Sequence, residues 1–121
     1  MELNEYQDKA MSTCLESSNN HLYMLHGLSE EVGELHGKFA KALRKGYITC
    51  DGNNYIPTDK PDEDYDELEL SMMKEAGDVA WMLAGFCKVM GWTLEEVCQM
   101  NLDKLADRKE RGVIDFKGDD R

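Results

Sequence analysis

"HLYMLHGLSEEVGELHGKFAKALRKG", residues 21–46, decides the fold. Its apolar residues Leu22, Leu25, Leu28, Val32, Leu35, Phe39 and Leu43 recur at spacings of three and four, the period of one face of an α-helix. Arg44 and Lys45 followed by Gly46 make a C-terminal signal. The spacing therefore predicts a helix over 21–45. Inside it, "EEVGE" (30–34) crowds three carboxylates and a glycine into five positions. A glycine in a helix interior costs about 1 kcal/mol relative to alanine, and adjacent carboxylates repel. The segment gives up stability twice.

The same pattern returns as "EAGD" at 75–78. It lies within a second long helix predicted from about Asp66 to Met90, with Leu68, Met72, Ala76, Val79, Leu83, Phe86 and Met90 as its stripe and Gly91 as its stop. A shorter helix is predicted over Leu3–Leu15. The last opens at "TLEE", where Thr93 and Glu96 form a capping box, and runs to about Lys109 with Leu94, Val97 and Leu105 inward. Between the two long helices, Gly52, Pro57 and Pro61 break any helix. "YIT" and "NYIP" around "CDGN" suggest a small hairpin at Asp51-Gly52; otherwise the link reads as a long irregular insertion. The expected fold is all-α, a four-helix core in one domain over 1–121, with 110–121 as a flexible tail.

Composition narrows the function. A hydrophobic content of 41% in 121 residues suits a globular chain. No apolar run approaches the roughly 18 residues of a membrane span, and the acidic, polar N-terminus does not read as a signal peptide, so a cytoplasmic location is expected. A net charge of −11 argues against a nucleic-acid partner, which needs a basic face. It is compatible with a small phosphorylated ligand if metal ions mediate. Cys14, Cys50, Cys87 and Cys98 lack zinc-site spacing, and His21, His26 and His36 lack an i,i+4 pair.

The placement of the acids is more telling. At about 100° per residue, Glu75 falls inside the apolar arc of its helix and Asp78 at its edge. Glu31 and Glu34 share one flank of the earlier helix, with Lys38 between them. An ionised carboxylate facing a core is costly unless it is paired or binds a cation. If the two long helices pack together, Glu31, Glu34, Glu75 and Asp78 converge as hard oxygen ligands suited to Mg²⁺ or Mn²⁺. Gly33 and Gly77 would then allow a helix or a ligand to approach. The plainer reading is two solvated acidic faces. On the last helix Asn101 shares the side of Leu94 and Val97, and Lys104, Arg108, Lys109 and Arg111 follow. These cations suit either a phosphate chain or the helix dipole.

Taken together, "GLSEEVGEL", "KEAGDVAWMLAG" and "GWTLEEVCQMNLDKLADRKERGV…GDDR" resemble the MazG-like, all-α nucleoside triphosphate pyrophosphohydrolases, whose signature is an E-x-x-E pair followed by an E-x-x-D pair. The resemblance covers about 22–45 and 72–121. It implies a homodimer or homotetramer that cleaves a nucleoside triphosphate, with Mg²⁺ and alternatively Mn²⁺, into the monophosphate and pyrophosphate. The metal carboxylates would be Glu31, Glu34, Glu75 and Asp78. Glu34, the most solvent-facing, would orient the water, and Lys38, Asn101, Lys104 and Arg108 would meet the phosphates. Other members act on phosphoribosyl-ATP, and an alarmone or a non-enzymatic helical interaction role stays open. The link over 46–65 has no counterpart in the resemblance, which leaves base and sugar undetermined.

Overall fold

The computed structural model describes residues 1–60 and 62–114. Four helices carry it: α1 (Leu3–Met11), α2 (His21–Lys45), α3 (Asp62–Val89) and α4 (Leu94–Arg111), with a 3₁₀ turn at Glu16–Ser18 and a two-stranded hairpin, β1 (Ile48–Asp51) and β2 (Asn54–Pro57). Among the described residues no helix is long and apolar enough to cross a membrane.

Local chemistry sets the boundaries. Asn20 caps α2, its side chain accepting the Tyr23 N–H at 2.8 Å, and Gly46 closes it in the left-handed region at φ 78°, where a Cβ would be strained. The α4 capping box is complete: Thr93 Oγ1 accepts the Glu96 N–H at 3.1 Å and Glu96 Oε1 accepts the Thr93 N–H at 2.7 Å. The first helix ends four residues before the expected Leu15, where Cys14 and Leu15 turn into the 3₁₀ segment. The link between the long helices is not irregular over 48–57. Cys50 pairs with Tyr55 and Asp51 with Asn54, around a turn at Gly52-Asn53, and the Tyr55 ring lies 5.5 Å from that of Phe39.

The principal pairing is α2 against α3. Its register is set by an interlock of glycines and methionines. A Cβ on Gly27 would sit 2.5 Å from Met82 Sδ and Cε, and a Cβ on Gly85 would collide with Met24. Each helix thus gives a methionine to the other's glycine. Met24, Met82, Met11, Ala84, Cys87 and Leu94 form the main core, and a second cluster joins Ala42 and Met72 to Ile48 of the hairpin.

One polar side chain ties three helices together. Gln7 is buried on α1; its Nε2 donates to the carbonyls of Ala84 (3.3 Å) and Trp92 (3.1 Å), and its Oε1 accepts the Leu94 N–H at 2.9 Å.

Several apolar positions expected to face inward do not. Leu22 is 71% exposed, and Leu25, Val32, Leu43, Leu83, Met90 and Leu105 are also exposed. Their spacing correctly assigns them to helices, but among the described residues no element covers them. Residues 110 and 111, expected in the tail, belong to α4, which Gly112 caps. The rest of that expectation, 115–121, lies outside the described residues.

Candidate active site

The interlock carries the two acidic pairs into opposition. Glu31 lies four residues beyond Gly27 on α2, and Asp78 four before Met82 on α3. Glu34 lies seven beyond Gly27, and Glu75 seven before Met82. In an antiparallel pair this places Glu34 across from Glu75 and Glu31 across from Asp78. Accordingly, Glu31, Glu34 and Glu75 each bring a carboxylate oxygen within 4.8 Å of the others. Asp78 stands outside that tight triplet, but its charge reaches Glu31, Glu75 and the Tyr6 phenol of α1.

The triplet is electrostatically unsatisfied. Burial pushes the Glu31 carboxyl above its usual value, and the charges of Glu34, Asp78 and Glu75 push it further. Glu75 is raised for the same first reason, then by the charge of Glu34 and by hydrogen bonding of its protonated form to Glu34; Lys38 opposes this. Lys38 Nζ stands 3.8 Å from Glu75 Oε1. The cation missing from Glu75's own helix therefore comes across from α2. It leaves Glu31 Oε2 and Glu75 Oε2 buried with no hydrogen-bond partner. Carboxylate oxygens that are buried without donors are unfavourable, and a hard divalent cation is the partner that suits an all-oxygen donor set. The residues present fit a hard divalent cation such as Mg²⁺ or Mn²⁺, which Glu31, Glu34 and Glu75 could hold.

Gly33 and Gly77 play no part in bringing the helices together. A Cβ at either would meet nothing within 4 Å, and the close helix approach is made at Gly27 and Gly85 instead. Beside Glu34 and Glu75 lies a cavity of about 300 Å³ lined also by Gly37, Lys38, Lys41 and Arg44. Lys41 and Arg44 are not among the candidates the sequence offers, where Arg44 and its neighbour Lys45 carry a helix-end signal. The three-residue steps from Lys38 to Lys41 and from Lys41 to Arg44 are the available clue.

The α4 candidates sit apart from this cavity, whose lining includes none of them. Asn101 and Lys104 are exposed, so Asn101 does not need buried partners, and Arg108 is buried at 3% exposure. Beyond Cys98 the helix runs past the core that covers Leu94 and Val97.

The family model described as "MazG nucleotide pyrophosphohydrolase domain" matches residues 19–113, which span both acidic pairs. The chain is 38% identical over 101 residues to the Gene 37 protein of Mycobacterium phage L5, covering 82% of this chain and 75% of that one. No solved structure matches.

Proposed function

The chain belongs to the MazG nucleotide pyrophosphohydrolase family, and from that premise we propose that it hydrolyses (deoxy)nucleoside triphosphates to the monophosphate and pyrophosphate, using Mg²⁺ or Mn²⁺. The observation that carries the reading is the pair of buried, unpartnered oxygens on Glu31 and Glu75, on opposite helices. Glu31, Glu34, Glu75 and Asp78 would hold the ion. When bound, it supplies charge neutralisation for the phosphates and acidifies a water.

The chain's own groups do the rest. Phosphoryl transfer asks for positioning and charge neutralisation more than covalent help. Glu34 is exposed at the edge of the triplet; it orients the water that attacks the α-phosphorus and accepts its proton. The bond from the α-phosphorus to the α–β bridging oxygen breaks, and pyrophosphate leaves with the electron pair. Lys38, beside Glu75, meets the negative oxygens on the same side. Asn101, Lys104 and Arg108 are assigned to the phosphate chain through the family resemblance. We place the enzyme in the cytoplasm as a homodimer or homotetramer; the exposed Leu22, Leu25 and Val32 on α2 and Met100 and Leu102 on α4 supply apolar surface for association.

The test is a panel of the common ribo- and deoxyribonucleoside triphosphates with Mg²⁺. Turnover of one or more into monophosphate and pyrophosphate in equal amounts is expected. Release of orthophosphate, or no turnover of any nucleotide, contradicts the reading.

A further inference from the structure

The acidic triplet opens onto a basic groove. At about 100° per residue, Glu31, Glu34, Lys38, Lys41 and Lys45 fall within roughly 80° of one face of α2. The first turn of that face is acidic and the next turns are basic. The cavity beside Glu34 and Glu75 has Lys38, Lys41 and Arg44 in its wall. It adjoins a second cavity of about 370 Å³ lined by Lys38, Lys41, Lys45, Tyr47, Glu67 and Ser71. Lys38 and Lys41 line both.

Two facts set this groove apart from an ordinary helix end. First, the chain carries 25 acidic residues against 14 basic ones, yet four of the cations fall within 38–45. No ion pair is formed by Lys41, Arg44 or Lys45 among the described residues, although Glu67 shares a cavity with two of them. Second, the helix dipole favours cations only in the last turn. That covers Arg44 and Lys45; Lys38 faces Glu75, and Lys41 is left without either partner. Unpaired like charges on one face repel, and an anion in the groove relieves them. The aromatic cavity of Phe39, Tyr55 and Tyr65 shares no lining residue with either of these.

We propose that Lys41, flanked by Arg44 and Lys45, binds the β- and γ-phosphates, the part of the substrate that leaves as pyrophosphate. The inference rests on the pyrophosphohydrolase reading and deepens it. Lys38 and Lys41 are separated by a rise of about 4.5 Å along the helix, so successive cations can meet successive phosphates of one extended chain. The consequence is selectivity by phosphate number. Triphosphate and pyrophosphate engage the groove fully, while monophosphate and orthophosphate do not.

The experiment is calorimetry with inorganic pyrophosphate, and separately orthophosphate, in Mg²⁺. It compares wild type with Lys41→Ala, Lys41→Arg and the double variant Arg44→Ala/Lys45→Ala, with nucleotide turnover measured alongside. Lys41→Ala is expected to weaken pyrophosphate binding by about tenfold or more, the scale of one charged hydrogen bond. Orthophosphate binding should change far less, Lys41→Arg should recover most of the loss, and melting temperatures should stay within a degree or two. If Lys41→Ala and the double variant both bind pyrophosphate as wild type does, the groove is only a helix end, whatever the turnover shows. If wild type binds pyrophosphate through Lys41 but turns over no nucleotide, the groove assignment stands and the pyrophosphohydrolase reading falls.

Discussion

Alanine at Gly77 should stabilise the chain and alanine at Gly85 should not, although both glycines lie inside α3. Helix propensity is the same at the two sites, a gain of about 1 kcal/mol for alanine, so the difference reads packing alone. At Gly77 the added Cβ meets nothing within 4 Å, and the propensity gain should appear nearly whole. At Gly85 it collides with the end of Met24 and comes to 3.4 Å from Met11 Cε. Met24 is fully buried, so it has no solvent to swing into. Overpacking of this kind costs about 1–3 kcal/mol, which cancels or exceeds the propensity gain. Unfolding entropy of roughly 2.1 cal/mol/K per residue converts 1 kcal/mol into about 4 °C for a chain of this length. The two variants should therefore differ by about 4–12 °C in thermal melts, Gly77→Ala being the more stable. Because the interlock sets the α2–α3 register, Gly85→Ala should also weaken Mg²⁺ binding at the carboxylates, read by the thermal shift it produces. Equal melting temperatures for the two variants would refute the interlock as the register device.

Gln7→Ala strands the Leu94 N–H and two carbonyls, and should cost about 1–3 kcal/mol in denaturant unfolding, far more than Asn4→Ala in the same helix. In EDTA, Glu31 and Glu75 make stability pH-dependent in a defined direction. Their folded-state values lie above the usual 4.5, so their favourable contribution is present below that value and is lost as pH rises through the raised ones. Between pH 5 and pH 8 without metal, wild type should lose more stability than Glu31→Gln/Glu75→Gln, by melts of both proteins at each pH; a parallel response would contradict the buried-charge account.

Much of the site was legible because its information is local. Three- and four-residue spacing places Glu31 and Glu34 on one face of α2, and Glu75 beside the stripe of α3, whatever surrounds them. The capping box at Thr93 and the hairpin at Asp51-Gly52 are likewise written in neighbouring residues. The remainder depends on what lies opposite a residue. Periodicity put Leu22, Val32 and Leu105 on helix faces but carries no information on whether another element covers those faces. The expected inward face of Asn101 fails for the same reason, since among the described residues α4 continues past the core that covers Leu94 and Val97. Gln7 and the Gly27–Met82 and Gly85–Met24 contacts join residues more than fifty positions apart, and no local pattern announces them. Gly33 and Gly77 drew notice because they sit beside acids, whereas the glycines that matter for packing sit beside methionines.

The most direct test measures pyrophosphate release from a nucleoside triphosphate in Mg²⁺ by wild type and by Glu75→Gln, with the melting temperature of each in EDTA. Glu75→Gln should have no measurable turnover and melt in EDTA no lower than wild type, because it removes a buried, poorly partnered charge. A Glu75→Gln protein that still releases pyrophosphate at the wild-type rate would contradict the assignment of the carboxylate cluster as the catalytic centre.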